Sequence, residues 1–402
     1  MYEREQVETI SRRITEMDNP LMQVVVGPRQ TGKSTMIAQA LKRVDQAQGG
    51  IEHRYVSADD ALFPSIEWLR TEWQQARNVA RSTGRRTVFV IDEVQKVEHW
   101  PNAVKSLFDA DRRDDVDVKP VLSGSSSLLL HKGLEDSLMG RFELIRSPHW
   151  SFSECEAAFG FTLDDYLFFG GYPGAARLVS DESRWSTYMR DAIIEPTISQ
   201  DVLSMEDVRK PALLRSMFRL GALYSAQELS FNKMLGQLQD AGNTTTLAHY
   251  LELLSKAGMV TGLQRFSPKE TERRKSSPRL MVYDTSLMTI VSEKGRERIM
   301  GEPDLRDRLV ESAVGARLLA RAPQEGFSVW WWREGNDEVD FVLCKGRSLS
   351  AIEVKGGHET RRSGMAKFLA KYPEARRIVV GGSSSGACTV EAFLRDEVPL
   401  FW

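Results

Sequence analysis

A glycine-rich segment near the start of the 402-residue chain has the residue types and spacing of a phosphate-binding loop. Gly27, Gly32, Lys33 and Ser34 fit the pattern GxxxxGK(S/T) in full, between an apolar run and a helical pattern. Such a loop turns backbone N–H groups toward phosphate oxygens, while the lysine neutralises the terminal phosphates and the serine hydroxyl holds Mg²⁺. We therefore expect ATP and Mg²⁺ at Gly27, Pro28, Arg29, Gln30, Thr31, Gly32, Lys33, Ser34 and Thr35.

A second chemical motif follows the apolar run at 86–91, which leads into Asp92 and Glu93. Open α/β sheets bind ligands at the carboxyl ends of their strands, so Asp92 is expected to hold Mg²⁺ through water. Glu93 is the expected carboxylate that polarises the water attacking the γ-phosphate. The alternative is an acidic turn without a catalytic role. Together the two motifs predict ATP binding with hydrolysis.

Hydroxyl groups end a further apolar run, in the segment VLSGSSS at 121–127. Ser123 or Ser125 is expected to orient the attacking water or to sense the γ-phosphate. Because serines are common in turns, a purely structural role is the alternative.

Acidic and basic residues near the carboxyl terminus form a third set. Asp340 lies in one predicted strand, and Glu353 and Lys355 lie two residues apart in the next, so that pair faces one side. Glu311 comes from a preceding helical pattern, with Gly315 one turn later expected to leave open space beside its carboxylate. Asp340 and Glu353 are expected to hold Mg²⁺ and activate water for attack on a phosphodiester, while Lys355 orients that water or neutralises the transition state. The alternative is a retained fold that binds partners and cuts nothing.

These residues need secondary-structure elements that bring them together. Before residue 150, short β-branched runs alternate with helical patterns, which predicts an α/β fold with a parallel sheet covered on both faces. Residues 151–204 and 206–266 are helical in pattern, and after residue 303 the pattern is helix, three strands, helix and strand. The predicted strands are 21–27, 53–57, 85–92, 119–124, 141–148, 328–333, 338–344, 349–355 and 376–381.

With these motifs in place, the chain resembles bacterial and archaeal AAA-type P-loop ATPases, archaeal-ATPase-like and STAND-related, that carry a carboxyl-terminal domain of unknown function. The resemblance depends on GPRQTGKST, VFVIDEVQKV, LSGSSSLLL, GRFELIRSPHWSFSE, FFGGYPGA, EVDFVL and IEVKGG, in that order. One departure is HWSFSE at 149–154, where PLSFxE is expected. The implied parts are an ATPase core over 1–150, a helical lid over 151–205, a winged-helix domain with a basic linker over 206–300, and a restriction-endonuclease-like αβββαβ domain of the PD-(D/E)xK nuclease type over 301–402.

The resemblance also gives roles to single residues. Arg141 precedes a predicted strand at the place where AAA-type ATPases carry an arginine finger, which would stabilise charge on the γ-phosphate of a neighbouring subunit. A surface salt bridge is the alternative for Arg141. A finger of this kind fits a homo-oligomer. The set expected to catalyse cleavage in the PD-(D/E)xK-like site is Glu311, Asp340, Glu353 and Lys355.

A basic segment at 267–280 suggests a nucleic-acid partner, with DNA favoured over RNA. In a winged helix, the helical pattern at 244–256 would bury Leu247, Leu251 and Leu254 and the basic segment would form the wing. The wing residues expected to contact phosphates are Lys269, Arg273, Arg274, Lys275 and Arg279. A solvated loop beside a structural lid is the alternative. The tryptophans at 330–332 are expected to pack in the core.

Composition excludes several classes of protein. Lys and Arg number 54 and Asp and Glu 56, so a net charge of −2 excludes a basic nucleic-acid coat. No run approaches the roughly 18 apolar residues of a membrane span, and the start lacks the apolar core of a signal peptide. Three scattered cysteines do not form a disulfide framework. We expect a cytoplasmic protein.

The sequence therefore predicts an ATP-binding and ATP-hydrolysing protein that acts on nucleic acid, with ATP state gating access to a metal-dependent, nuclease-like carboxyl-terminal site. The alternative is an ATP-switched regulator or scaffold whose nuclease-like domain is catalytically silent.

Overall fold

The computed structural model describes residues 2–47, 50–124, 137–203, 208–240, 242–269, 276–355, 364–382 and 385–402. The chain divides into two compact units, Met1–Pro148 and His149–Trp402. Among the described residues, no helix is long and apolar enough to cross a membrane.

A five-stranded parallel sheet forms the centre of the first unit. Its strands are β1 Met22–Val26, β2 Glu52–Ser57, β3 Thr87–Asp92, β4 Val118–Gly124 and β5 Phe142–Arg146. They lie in the order β2-β3-β4-β1-β5, and every neighbouring pair is parallel. The predicted α/β fold with a parallel sheet is confirmed.

Helices cover both faces of this sheet. They are α1 Glu5–Thr15, α2 Lys33–Ala47, α3 Ile66–Thr83 and α4 Trp100–Arg113. Strand β3 shows why both faces need cover: Val88 and Val90 join the cluster that contains α1 and α2, whereas Phe89 and Ile91 join the cluster that contains α3 and α4. Since both faces of the sheet are packed, the carboxyl ends of the strands are where polar side chains can gather.

The second unit starts with short helices, α5 Phe152–Phe159, α6 Leu163–Phe169 and α7 Glu182–Tyr188, followed by π-helical turns at Met189–Ile194 and Thr197–Val202. The glycine pair in FFGGYPGA has a packing role here. A Cβ on Gly170 would lie 1.9 Å from an oxygen of Asp284, and Gly171 donates its N–H to that carboxylate at 2.7 Å. Larger residues would push the two segments apart.

A helical middle part carries a small antiparallel sheet. Its helices are α8 Pro211–Leu223, α9 Phe231–Gln237 and α10 Thr244–Lys256, and its strands are β6 Gln227–Glu228, β7 Val260–Leu263 and β8 Arg279–Val282, in the order β6-β8-β7. Leu247, Leu251 and Leu254 are buried on α10, as predicted. Arg273, Arg274 and Lys275 lie outside the described residues. The winged-helix assignment stays a prediction.

The carboxyl-terminal part follows two short helices, α11 Thr285–Ser292 and α12 Arg296–Gly301. Its elements are α13 Pro303–Glu325, β9 Ser328–Glu334, β10 Asp337–Lys345, β11 Ser348–Lys355, α14 Met365–Lys371, β12 Arg376–Gly381 and α15 Val390–Leu394. The sheet order is β12-β11-β10-β9, with β12 parallel to β11 and the other pairs antiparallel. Trp331 and Trp332 are buried in clusters on opposite faces, which confirms core packing there. The restriction-endonuclease-like assignment stays a prediction.

Candidate functional site

The phosphate-loop residues connect β1 to the start of α2, as their spacing predicted. The Lys33 side chain is buried, and its ammonium donates to the carbonyl oxygens of Gly27 at 3.1 Å and Pro28 at 2.7 Å. Gln30 and Gly32 both have positive φ, 63° and 88°, which turns the chain tightly around that ammonium. The loop thus already surrounds its cation with backbone, and phosphate oxygens would replace the two carbonyls as its partners.

The base of the loop is fixed against the residue that follows β5. A Cβ on Gly27 would lie 2.1 Å from the Ser147 carbonyl oxygen, so a larger residue would displace the loop. The hydroxyl groups of Thr31 and Ser147 are 3.1 Å apart, and Thr31 also donates to the Pro28 carbonyl oxygen at 3.1 Å. These contacts hold the loop shape independently of a ligand.

Asp92, at the carboxyl end of β3, gathers hydrogen bonds from three elements. Its Oδ1 accepts from the Ser123 hydroxyl at 2.5 Å and from the Glu93 backbone N–H at 3.0 Å. Its Oδ2 accepts from the Ser34 hydroxyl at 2.6 Å and from the Tyr55 phenol at 2.5 Å. Burial opposes the charge on this carboxylate, but the hydrogen bonds from Ser123, Ser34, Tyr55 and Glu93 outweigh it and lower the pKa of Asp92.

Strand order explains why these groups meet. Strand β4 lies between β1 and β3, and Ser123 on β4 pairs in register with Val25 of β1. Ser123 therefore stands between the loop that follows β1 and the aspartate that ends β3. The sequence predicted Ser34, Asp92 and Ser123 for one site, and the structure brings them together. Ser125 lies outside the described residues.

Sequence reasoning missed Tyr55. It lies on β2, which pairs with β3 so that Ser57 is opposite Asp92, and the phenol reaches the same carboxylate. Burial and the hydrogen bond to Asp92 raise the pKa of Tyr55, so its proton stays on the phenol. The sequence did contain a sign of this contact: in the strand HRYVS alternate side chains face the same side, which puts Tyr55 on the side of Ser57. Using that signal required knowing that β2 is the neighbour of β3.

Glu93 immediately follows Asp92 in an unusual backbone conformation. Its φ is 52°, in the left-handed region that non-glycine residues rarely adopt. Its carboxylate accepts a hydrogen bond from the Gln95 side-chain amide at 2.6 Å. The Glu93 backbone N–H group donates to Asp92, whereas the Glu93 side chain accepts from Gln95, and the residue is half-buried.

The donor set fits ATP with Mg²⁺. Ser34 and Asp92 place a hydroxyl and a carboxylate oxygen 2.6 Å apart, and Mg²⁺ prefers hard oxygen ligands with several retained waters. Lys33 stands at the start of α2, where a helix N-terminus favours phosphate. Pro28, Arg29, Gln30 and Thr35 lie on the same loop or the first turn of that helix.

Arg141 lies directly before β5, at the amino edge of the parallel sheet, opposite the edge that carries the phosphate loop and Asp92. Its guanidinium donates to both oxygens of Asp109, at 2.8 and 3.0 Å. That hydrogen bond lowers the pKa of Asp109 and raises the pKa of Arg141. Within one chain, Arg141 therefore forms a partly exposed salt bridge and is remote from the nucleotide site.

The carboxyl-terminal acidic residues meet a buried arginine. Arg279, at the start of β8, has a side chain that is only 1% exposed. Its guanidinium forms ion pairs with Glu311, Glu338 and Asp340, the last at 3.2 Å. Burial opposes the charge on Arg279, but the three carboxylates outweigh it and raise the pKa of Arg279. The expectation that Arg279 contacts nucleic-acid phosphates from an exposed wing is therefore wrong.

Asp340 lies against the next strand. Its Oδ2 accepts the backbone N–H of Val354 at 2.8 Å, which puts it beside the segment that carries Glu353 and Lys355. Burial raises the pKa of Asp340 despite Arg279 and this N–H group, and the negative charge of Glu353 adds to the rise. Lys355 is the last residue described before residue 364.

The space expected beside Glu311 is filled. A Cβ on Gly315 would lie 2.6 Å from the sulfur of Met281 and 3.0 Å from the Phe341 ring. The glycine therefore lets α13 approach the two sheets closely, and the expected opening is absent at this position. The physical reason is core packing, which a helical glycine can serve as well as it can serve a site.

In the described conformation this cluster does not fit a divalent metal. The guanidinium of Arg279 already supplies a cation to Glu311 and Asp340. Within the described part of the chain, no group of three or more His, Cys, Asp and Glu side chains could hold a metal ion. The Mg²⁺ site at Asp340 and Glu353 stays a prediction, and it requires the guanidinium of Arg279 to leave Asp340.

Family models match three successive parts of the chain. They are an AAA domain over residues 19–156, a Domain of unknown function (DUF8612) over 160–298 and a Domain of unknown function (DUF4143) over 306–387. The first match covers the phosphate loop, Asp92, Glu93 and Ser123, and it supports a P-loop ATPase.

Two relatives are similar over most of the chain. An uncharacterized protein of Haemophilus influenzae is 24% identical over 85% of this chain and 86% of its own length. The uncharacterized protein Rv2008c of Mycobacterium tuberculosis is 26% identical over 83% of this chain and 69% of its own length.

Two solved structures align with large parts of the chain. The Walker-type ATPase PABY2304 of Pyrococcus abyssi aligns with a TM-score of 0.50 and 14% identity, over 73% of this chain and 96% of that one. AMPPCP-bound DnaA from Aquifex aeolicus aligns with a TM-score of 0.33 and 17% identity, over 63% and 88% of the two chains. The first of these supports the α/β fold with a parallel sheet core.

Proposed function

We propose that the chain binds ATP with Mg²⁺ and hydrolyses it at the loop between β1 and α2. The observation that carries the proposal is the meeting of Ser34, Asp92 and Ser123 in one hydrogen-bond network beside the buried ammonium of Lys33. The network combines a cation for phosphate with hard oxygens for Mg²⁺, and it stands at the edge of the sheet where α/β folds bind ligands.

Each residue has a separate task in this proposal. Lys33 exchanges its two carbonyl partners for phosphate oxygens, and Ser34 and Asp92 hold Mg²⁺, which neutralises charge on the phosphates when it is bound. Glu93 accepts a proton from the attacking water as the bond to the γ-phosphate forms. Ser123 keeps Asp92 in place through its hydrogen bond, and in this proposal its hydroxyl responds to the γ-phosphate.

The test separates binding from turnover. Lys33→Ala removes the charge that stabilises the phosphates, so hydrolysis should fall by about 100-fold or more and ATP binding should weaken. Lys42→Ala, an exposed lysine on the same helix, is the matched control and should leave both unchanged. Equal activity of Lys33→Ala and Lys42→Ala would refute the assignment of the loop.

A second variant tests the catalytic carboxylate. Glu93→Gln keeps the loop, Ser34 and Asp92, so nucleotide binding should persist while hydrolysis slows by about 100-fold or more. Hydrolysis at the parent rate would mean that Glu93 only closes the turn with Gln95.

For the carboxyl-terminal domain, we propose a regulator or scaffold role in which the nuclease-like site is silent. The specific observation in favour is the ion-pair cluster of Arg279 with Glu311 and Asp340. Metal-dependent cleavage, with ATP state gating access to Glu311, Asp340, Glu353 and Lys355, is the competing proposal. It requires the guanidinium of Arg279 to leave Glu311 and Asp340.

Nuclease assays distinguish these proposals. Purified full-length protein is incubated with single- and double-stranded DNA and with RNA, in Mg²⁺ or Mn²⁺, with and without ATP. We expect no cleavage above the level of a Lys355→Ala control. Cleavage that needs ATP and is lost in Lys355→Ala would favour the gated nuclease. Binding of DNA or RNA in the same samples tests the proposed nucleic-acid partner, which is supported by the remaining basic residues of the segment, Lys269, Arg273, Arg274 and Lys275.

We further propose that the chain has four parts, at 1–150, 151–205, 206–300 and 301–402.

We also propose a homo-oligomer in which Arg141 of one subunit stabilises charge on the γ-phosphate bound by its neighbour. Support for this proposal is the position of Arg141 at the sheet edge opposite the phosphate loop of its own chain. Mixing Arg141→Ala with Lys33→Ala subunits should then restore part of the hydrolysis, because one composite site combines an intact loop with an intact arginine. Failure after demonstrated subunit exchange would leave Arg141 as the salt-bridge partner of Asp109.

A further inference from the structure

Asp92 has all its acceptor positions in use. A carboxylate offers about four lone-pair sites, and the four described here receive Ser123 and Glu93 on one oxygen and Ser34 and Tyr55 on the other. A residue that holds Mg²⁺ through water must accept a hydrogen bond from that water. One of the present donors therefore has to leave when Mg²⁺ binds.

The four donors differ in how easily they can leave. The Glu93 N–H belongs to the backbone turn, and Ser123 is completely buried on the central strand β4. Ser34 can remain, because a hydroxyl that gives a lone pair to a metal still has its proton to donate.

Tyr55 is different from the other three donors. It lies on β2, the edge strand of the sheet, and it is 41% exposed, so water can solvate its phenol once the phenol moves away. The backbone of Tyr55 pairs with Val90 of β3, but the phenol oxygen lies at the end of the side chain and can leave Asp92 without breaking that pairing. The phenol is also the only one of the four donors that reaches Asp92 from outside the predicted motifs.

We propose that Tyr55 competes with the hydration shell of Mg²⁺ for Oδ2 of Asp92, and that it is a positioning residue that sets how much Mg²⁺ the nucleotide site requires. Without metal, the phenol satisfies the buried carboxylate and holds it in place. With metal, the phenol gives up this acceptor position. This inference rests on the proposed ATP site and extends it to the control of its metal requirement.

The test is nucleotide binding as a function of Mg²⁺, with a non-hydrolysable, fluorescent ATP analogue and the full chain. Tyr55→Phe removes only the hydroxyl, so the competing donor disappears and the half-saturating Mg²⁺ concentration should fall about fivefold. Binding of the analogue in EDTA should stay within about twofold of the parent, since the loop and Lys33 are untouched. Tyr224→Phe, a partly buried tyrosine of the second unit, is the matched control.

The outcomes are distinct. A half-saturating Mg²⁺ concentration that is unchanged or higher in Tyr55→Phe, with normal binding by the parent, would overturn the inference and leave the ATP site standing. A parent that fails to bind the analogue at any Mg²⁺ concentration would overturn the proposed function, and this inference with it. Circular dichroism of both variants checks that the Mg²⁺ response is compared between folded proteins.

Discussion

Asp92 and Asp340 both lie on β-strands with little exposed surface, yet their main hydrogen-bond and ion-pair partners differ. Asp92 accepts hydrogen bonds from hydroxyl groups and a backbone N–H group, none of which carries a formal charge. Asp340 shares the guanidinium of Arg279 with two glutamates. Neutral donors keep a carboxylate ionised and still attractive to a cation. A buried arginine supplies the cation itself.

The pKa directions follow the same division. Hydrogen bonds lower the pKa of Asp92 in spite of its burial, whereas burial raises the pKa of Asp340 in spite of its arginine. In the proposed ATP site, the ionised Asp92 is the carboxylate that would attract the metal. A carboxylate in a promising sequence motif can therefore be a metal ligand or one half of an internal ion pair, and its neighbours in space decide which.

The largest expected effect comes from breaking the arginine cluster. Arg279→Ala leaves Glu311, Glu338 and Asp340 close together without a counter-ion, and removing one partner of a buried ion pair costs about 3–5 kcal/mol. The measurement is the free energy of unfolding from urea denaturation of the full chain.

Arg298→Ala is the control for the cluster. Arg298 also forms an ion pair, with Glu302, but its side chain is 68% exposed, so the expected loss is at most about 0.5 kcal/mol. If Arg279→Ala does not fold, Arg279→Lys keeps one charge and should show a smaller loss. Losses of similar size for Arg279→Ala and Arg298→Ala would show that the cluster is not what joins β8 to the carboxyl-terminal sheet.

The next effect tests the other aspartate. Asp92→Asn removes the negative charge that attracts Mg²⁺, and hydrolysis should fall by about 100-fold or more. Binding of an ATP analogue in EDTA should change little, because Lys33 and the loop remain. Asp114→Asn, an exposed aspartate of the same unit, serves as the control. Hydrolysis at the parent rate in Asp92→Asn would remove the contrast between the two carboxylates.

The two regions show which features of the fold and of the sites could be predicted from the sequence. The phosphate loop could be predicted in full, because its backbone geometry imposes glycine and lysine at fixed spacing. The parallel sheet followed from apolar runs that are buried on both faces, and the α10 leucines followed from helical periodicity. In both cases the signal is local in the chain.

The rest depends on contacts between distant residues. Arg279 is separated from Asp340 by 61 positions, and no local pattern distinguishes a buried arginine from one in a basic loop. Tyr55 stands in an ordinary strand pattern and gains its partner only from the pairing of β2 with β3. Gly315 was expected to open space, but the methionine and phenylalanine that fill it come from β8 and β10.

A smaller effect concerns pH. The Ser123 hydroxyl helps to lower the pKa of Asp92, so Ser123→Ala should raise that pKa and allow the carboxylate to protonate at a higher pH than in the parent. Because metal needs the ionised form, the acid side of the Mg²⁺-dependent binding curve should move to higher pH. Fluorescent analogue binding between about pH 3 and 6 measures this, with Ser82→Ala on the exposed face of α3 as control. Superimposed curves would mean that Ser123 does not hold the charge of Asp92.

The smallest expected effect is that of Asp340→Ala on metal binding, where we expect no change. This prediction tests the contrast between Asp92 and Asp340 most directly. Mn²⁺ is titrated calorimetrically into Lys33→Ala protein and into the Lys33→Ala, Asp340→Ala double variant, without nucleotide. Mn²⁺ is chosen because carboxylate and water ligands suit it. Since the guanidinium of Arg279 already occupies this cluster, we expect the same heat of binding in both proteins. Adding Arg279→Gln to the Lys33→Ala protein removes the internal cation but leaves the three carboxylates, so Mn²⁺ binding should then appear or strengthen.

Loss of Mn²⁺ binding on adding Asp340→Ala to the Lys33→Ala protein would show that a metal reaches Asp340 in spite of the arginine. That result would return the carboxyl-terminal site to the gated-nuclease proposal and leave the conclusions on Asp92 unchanged.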